Sequence, residues 1–143
     1  MQKLLFSRID NCSLIIFRIC FGLLVLLESW GAIATGWVRR VLVEPKFTFN
    51  FIGFEFLQPL PGNGMYWYFG LMGVCGLGVM LGYRYRASMI GFTVLWAGVY
   101  LMQKSAYNNH YYLLFLINIL MCFVPANKNL SLDVKLGLSL IHI

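Results

Sequence analysis

The chain has 143 residues, of which 60% are hydrophobic and only 11% are charged, whereas soluble domains usually contain about 25% charged residues. So few charges cannot coat the water-facing surface of a soluble globular domain, and the length excludes a second domain. The net charge is +6, but the basic residues lie mostly between apolar runs, as expected for anchors at a membrane surface, and no basic patch interleaved with aromatics supports nucleic-acid binding.

Four apolar segments come close to or reach the length of a membrane span, which is about 20 residues. They cover residues 13–34, 65–83, 87–103 and 111–125. Hydrocarbon forces each span to satisfy its own backbone hydrogen bonds, so we expect an all-α, polytopic integral membrane bundle of about four helices. A signal peptide is the alternative for the first segment, with Lys3 and Arg8 as its charged region. Arg18 and Glu28 would interrupt its apolar core.

Arg18 and Glu28 are unusual because a charged side chain is costly inside hydrocarbon. They are ten positions apart, which on a helix corresponds to about 15 Å of rise and roughly 80° of rotation. They therefore cannot pair with each other, and each needs its own partner. Two interpretations stay open for both residues, namely an internal ion pair or snorkelling position, and a place on the wall of a polar cavity.

The loop at residues 35–64 contains an aromatic stretch, Phe47 to Phe51, that alternates like a strand. A free strand edge is forbidden in lipid, so we expect this stretch to lie at the interface or to pack on the bundle. The second segment contains five glycines, and Gly78 and Gly82 form a GxxxG pair that favours close helix packing. The four cysteines form no CxxC pair, so we interpret them as apolar packing residues rather than as a metal site or disulfide framework.

Four spans place the N-terminus, the turn at residues 84–86 and the C-terminus on one side of the membrane. Six Lys/Arg residues fall on that side and four on the other. Basic residues are enriched in cytoplasmic loops, so we expect the N-terminus in the cytoplasm.

The densest polar cluster contains Lys104, Asn108, Asn109 and His110, between the third and fourth segments on the non-cytoplasmic side. A lysine at a helix end often snorkels to the interface, and an asparagine often caps a helix. The functional alternative is that a lysine held partly away from water becomes neutral and acts as a general base. The two amides and the imidazole would then supply directional hydrogen bonds beside it.

The block at residues 100–113 resembles the corresponding loop of vitamin K-dependent gamma-glutamyl carboxylases and of the wider horizontally transferred transmembrane (HTTM) domain family of bacteria. The shared pattern is a lysine, three residues, Asn-Asn-His and then an aromatic-leucine pair. Other blocks resemble the family in the same order along the chain. They lie at residues 17–24, 59–66, 80–88 and 126–133.

In the carboxylases, a lysine aligned with Lys104 deprotonates reduced vitamin K, and the quinol anion reacts with oxygen to give a strong base. That base removes a proton from a glutamate side chain, carbon dioxide adds to the carbanion, and the quinone leaves as its epoxide. The resemblance thus implies Lys104 as catalytic base, and Asn108, Asn109 and His110 in a quinol pocket. It also implies a reduced vitamin K or related quinol as cofactor, and no metal.

The resemblance further implies a bacterial inner-membrane protein whose partners are the lipid bilayer, the quinol, oxygen, carbon dioxide and a glutamate-containing peptide. The family domain has more than four spans, so we interpret residues 1–137 as a partial domain with little activity of its own. Residues 138–143 read like the translation of a transposon-end sequencing adapter, and we interpret them as a non-native tail. His142 is therefore excluded from the site.

The competing hypothesis is a non-catalytic four-helix membrane scaffold or helper subunit of the DoxX-like type. This hypothesis is favoured because the sequence alone establishes no second catalytic group beside Lys104. Further spans and a soluble region in the intact gene would favour the carboxylase-like enzyme, and a stop codon directly after Ile143 would favour the scaffold.

Overall fold

A computed structural model describes residues 12–45, 47–106, 108–126 and 131–135, and all regular secondary structure within these ranges is helical. The four main helices begin and end within two residues of the four predicted segments. They are α1 (Cys12–Ala34), α2 (Gly64–Leu81), α3 (Tyr85–Met102) and α4 (Asn109–Phe123), followed by a short α5 (Leu132–Lys135). The charged residues Lys3 and Arg8 and the predicted tail at residues 138–143 lie outside the described residues.

In the described part of the chain, two helices are long and apolar enough to cross a membrane. These are α1 and α2, with mean hydropathies of 2.1 and 1.4 over 18-residue windows. α4 is apolar but shorter, and α3 is as long as α2 but less apolar. Only 33% of each window is buried, unlike the core helix of a soluble protein. The two helices are consistent with a membrane protein, and a crossing by all four helices stays a prediction.

The outward faces of all four helices carry large apolar side chains. Trp67 on α2 is 81% exposed, Val94 on α3 is 64% exposed and Phe123 on α4 is 77% exposed. A soluble monomer rarely exposes a contiguous apolar surface of this kind, because it drives association in water. In a bilayer the same faces meet lipid, so the surface agrees with the composition.

Glycines bring α1 and α2 close together. A Cβ atom at Gly22 would meet the backbone of Met80, and one at Gly76 would meet the backbone of Leu26. The close helix packing predicted for the glycine-rich segment is confirmed at Gly76, but the GxxxG pair does not make this contact. A Cβ at Gly78 would meet the side chain of Ser88 on α3, and Gly82 has another role. It ends α2 in the left-handed conformation, with φ at 67°, where glycine avoids the steric penalty of a Cβ.

The helices otherwise pack in chain order, with α2 on α1, α3 on α2 and α4 on α3. α5 returns to the junction between α2 and α3, where Asp133 accepts hydrogen bonds from the backbone N–H groups of Arg84 (2.6 Å) and Tyr85 (3.1 Å). The Asp133 backbone N–H donates to Gly82 O at 3.1 Å. Asp133 thus caps the first turn of α3 from a distant position in the chain.

The aromatic stretch at residues 47–51 packs on the end of α3 and forms no strand. The Phe51 N–H donates to Leu101 O at 3.3 Å, and the Lys104 N–H donates to Phe49 O at 2.6 Å. The Phe49 N–H donates to the Gln103 side chain at 3.0 Å. The helix end supplies hydrogen bonds that a neighbouring strand would otherwise supply, so the predicted packing on the bundle is confirmed.

Candidate functional site

A cavity of about 270 Å³ lies between α1, α3 and the beginning of α4. The lining residues of α1 and of α3 are spaced three and four positions apart, so those of each helix lie on a single face. These two faces border the cavity. The lining residues are Leu27, Glu28, Gly31, Ala32, Thr35, Trp37, Phe69, Trp96, Val99, Tyr100, Gln103 and Tyr111.

The cavity walls are mainly aromatic. Trp96 meets Tyr111 edge to face, with 5.4 Å between ring centroids, and its indole N–H donates to Tyr111 O at 3.4 Å. Trp37 and Phe69 form a tilted pair at 6.1 Å on the other wall. Rigid rings of this kind provide flat apolar surfaces suited to a flat apolar ligand.

Glu28 introduces a carboxylate into this apolar cavity. Its side chain is half-buried and lies close to the hydroxyl group of Tyr111, the third residue of α4. α1 and α4 make little direct helix contact, so this interaction is one of the few links between them. Glu28 therefore occupies the cavity wall, one of the two positions that the sequence left open for it.

Arg18 takes the other position, an internal polar contact at the opposite end of α1. Its side chain is 1% exposed, and Nη1 donates to Ala126 O at 3.0 Å. The Asp133 carboxylate and the Tyr85 hydroxyl lie near enough to interact with the guanidinium. The expectation that Arg18 and Glu28 have different partners is confirmed.

Gln103 joins the cavity to the loop that precedes α2. Its side-chain amide donates to Val41 O at 3.2 Å and its carbonyl oxygen accepts from the Phe49 N–H. Gln103 is buried, so this pair of hydrogen bonds fixes the loop over one end of the cavity.

Lys104 follows Gln103 in a short 3₁₀ turn, Lys104–Ala106. Its side chain is exposed, so the expectation that this lysine is held partly away from water is wrong for the described structure. Its Nζ lies 5.7 Å from the centroid of the Phe51 ring, a distance at which the face of the ring attracts a cation. Phe51 stacks on Tyr100 at 5.4 Å, and Tyr100 stacks on Phe115 at 6.1 Å. Tyr100 lines the cavity. Lys104 is therefore separated from the cavity wall by one ring, that of Phe51.

Asn108 caps α4. Its Oδ1 accepts from the His110 N–H at 3.3 Å and lies 2.7 Å from His110 Nδ1. The predicted capping role is confirmed for Asn108, whereas Asn109 is the first residue of the helix. Asn108, Asn109 and His110 are all exposed.

The structure therefore places the lysine-Asn-Asn-His motif around one end of the cavity. Gln103 and Tyr111, which directly flank the motif in sequence, line the cavity, while the side chains of the motif lie outside that lining. Sequence reasoning missed both flanking residues. The sequence signal for Gln103 is its helical spacing from Trp96, Val99 and Tyr100, which places it on the same face as these residues at the end of α3. Tyr111 lies at the beginning of α4, directly after the motif.

The described residues contain no group of three or more His, Cys, Asp or Glu side chains that could hold a metal ion. The four cysteines are free thiols, of which Cys75 and Cys122 are half-buried against the core. The apolar-packing interpretation agrees with these two, and Cys12 and Cys20 lie on exposed positions of α1.

The helical fold of the described residues, the two candidate membrane spans and the apolar outer faces are consistent with an α-helical membrane protein. A family model for the HTTM domain matches residues 6–140, so the chain belongs to the HTTM domain family. This domain is part of vitamin K-dependent carboxylase-type proteins. The comparison with solved structures gives no match.

Proposed function

We propose that this chain is the quinol-binding membrane domain of a carboxylase-like protein, with Lys104 as its general base. The observation that carries the proposal is the position of the lysine-Asn-Asn-His motif beside an aromatic cavity, in a chain that belongs to the HTTM family. Oxygen, carbon dioxide and a glutamate-containing peptide complete the set of partners expected for this chemistry.

The cavity suits a quinol ring. Its volume of about 270 Å³ lies just below the range of roughly 300–1,000 Å³ that is usual for small-molecule sites. Trp96, Tyr100 and Tyr111 supply aromatic walls, and Glu28 supplies a hydrogen-bond acceptor. A flat aromatic diol needs this combination of an apolar surface and a few directed polar groups.

When bound, a reduced quinol supplies a hydroxyl proton and the electrons for reaction with oxygen. In this chain Lys104 Nζ is the group proposed to accept that proton. Its exposed position at the rim lets the ammonium return the proton to solvent. Gln103 holds the backbone before Lys104 in place through its bonds to Val41 and Phe49.

The proposed topology has four spans, with the N-terminus in the cytoplasm and Lys104 on the opposite side. Its support is the apolar outer surface of all four helices, together with the connection of α2 to α3 through a short Arg-containing turn at residues 82–84. The location proposed for this topology is the bacterial inner membrane.

The test is quinone epoxide formation by the intact protein in lipid nanodiscs. A positioned general base typically contributes about 10²- to 10⁴-fold to rate, so Lys104→Ala is expected to lower epoxide formation at least about 100-fold. Lys135→Ala, at an exposed lysine on α5, is the matched control and should leave the rate unchanged. Equal rates for the two variants would refute the assignment of Lys104 as base.

A scaffold or helper subunit of the DoxX-like type is the second candidate. The observation favouring it is that the Lys104 side chain is exposed and lies outside the residues that line the cavity. Under this alternative the protein forms no epoxide at any quinol concentration, and both lysine variants behave like the wild type.

A further inference from the structure

Glu28 is the single charged side chain among the residues that line the cavity, all of which the structure describes. It lies in the second half of α1, six residues before the helix ends at Ala34, and the apolar part of this helix has a mean hydropathy of 2.1. Placing a carboxylate there is costly unless it binds a polar group. Tyr111 is one such group, but a carboxylate can accept about four hydrogen bonds. One hydroxyl partner therefore leaves Glu28 with acceptor capacity.

Three other polar groups of the cavity wall form hydrogen bonds within the protein. Gln103 uses both atoms of its side-chain amide to hold the loop, the Thr35 hydroxyl donates to Gly31 O at 2.8 Å, and the Trp96 indole donates to Tyr111 O. The Glu28 carboxylate is the charged acceptor among the lining residues, and a charged acceptor forms a stronger hydrogen bond with a hydroxyl group than a neutral one does.

The cavity opens toward the apolar outer surface. Leu27 lines the cavity and is also 61% exposed on the outer face of α1. α1 packs on α2 and α4 packs on α3, so the side of the cavity between α1 and α4 is not sealed by helix packing. A molecule dissolved in the lipid can reach Glu28 from this side.

We infer that Glu28, oriented by Tyr111, binds the hydroxyl group of a flat, lipid-soluble aromatic alcohol of the phenol or hydroquinone class. The inference rests on the proposed function for this ligand class, but it assigns a different residue and a different role. Glu28 is a positioning residue that fixes the ring between Trp96 and Tyr111, whereas proton removal is assigned to Lys104.

The experiment compares 1-naphthol with 1-methoxynaphthalene, in which a methyl group replaces the hydroxyl hydrogen and so removes the hydrogen-bond donor. Binding of each is measured by equilibrium dialysis against the protein in nanodiscs, with uptake by protein-free nanodiscs subtracted. A hydrogen bond to a charged acceptor corresponds to roughly ten- to a hundred-fold in affinity. The wild type is therefore expected to prefer 1-naphthol by at least about ten-fold.

Glu28→Gln keeps the shape of the side chain and removes its charge, so the preference should fall at least about five-fold. Glu55→Gln is the matched control, because Glu55 lies exposed in the loop before α2, and it should retain the wild-type preference. Val99→Trp, which fills the cavity from α3, should weaken the binding of both probes. Far-ultraviolet circular dichroism confirms that each variant is folded.

An unchanged preference in folded Glu28→Gln would overturn the inference. It would also be overturned if the wild type bound the two probes equally well. Because the assay requires no turnover, its result is separate from that of the Lys104 test. Loss of epoxide formation in Lys104→Ala with unchanged probe preference in Glu28→Gln would support the proposed function and refute the role of Glu28.

Discussion

Replacing Arg18 with methionine is expected to destabilise the fold strongly, although Arg18 lies far from the cavity. The guanidinium is 1% exposed and donates to Ala126 O at 3.0 Å, and Ala126 is itself only 2% exposed. Asp133, which is 3% exposed and caps the first turn of α3, interacts with the same guanidinium. One side chain thus connects α1 to the segments after α4 and to the α2–α3 junction.

The magnitude follows from the two interactions that are lost. A hydrogen bond to a charged group contributes about 1.5–3 kcal/mol, and removing one member of a buried charged pair costs about 3–5 kcal/mol, because the other charge stays buried. The two terms overlap because they concern the same guanidinium, and removing the arginine also removes the cost of burying its own charge. Methionine keeps part of the apolar packing of the arginine stem. We therefore expect a loss of about 2–4 kcal/mol in the free energy of unfolding.

The assay is thermal unfolding in detergent micelles, followed by circular dichroism. The matched control is Arg39→Met, because the Arg39 side chain is 68% exposed and pairs with Glu44 at 2.9 Å, and exposed pairs contribute about 0–1 kcal/mol. Arg18→Met should unfold at a clearly lower temperature than Arg39→Met. Equal unfolding temperatures would refute the reasoning, as would strict additivity of Arg18→Met and Asp133→Asn in a double-mutant cycle.

Two further predictions concern packing and topology. Gly82→Ala should destabilise the protein by at least about 1–2 kcal/mol, because the left-handed backbone disfavours a Cβ and that Cβ would contact Arg18. Gly70→Ala, where a Cβ meets nothing within 4 Å, should leave stability unchanged or raise it slightly, and a thermal scan of both variants is the check. In a cysteine-free background, Lys104→Cys should react with a membrane-impermeant maleimide applied to intact cells, and Arg86→Cys should react only in inverted vesicles. Labelling of both positions from the same side would refute the four-span topology.

The positions of the helices were predictable because hydropathy and length are local properties. The predicted span at residues 13–34 corresponds to Cys12–Ala34, and the one at residues 65–83 corresponds to Gly64–Leu81. The second boundary differs because Gly82 adopts the left-handed conformation and ends the helix. Apolar composition continues across that glycine, so composition alone places the boundary too late.

The polar partnerships were not predictable, because they depend on which helices pack together. The sequence excluded an Arg18–Glu28 pair through helical geometry, but it contained no signal for Asp133 as the residue that caps α3 and faces Arg18. It also contained no signal for Tyr111 as the partner of Glu28. Both contacts join segments that are distant in the chain, and both depend on the positions that α4 and α5 take relative to α1.

The arrangement of the site separates two tasks that the motif alone could not separate. Lys104 lies at the rim, over Phe51, while Glu28 lies in the cavity wall beside Tyr111. A residue at the rim can exchange protons with water, and a residue in the wall can hold a ligand hydroxyl in a fixed position. If both assignments hold, Glu28→Gln acts mainly on quinol affinity and Lys104→Ala acts mainly on the rate with saturating quinol. Comparing the change in quinol affinity with the change in the saturated rate, for each variant, therefore distinguishes a binding residue from a base.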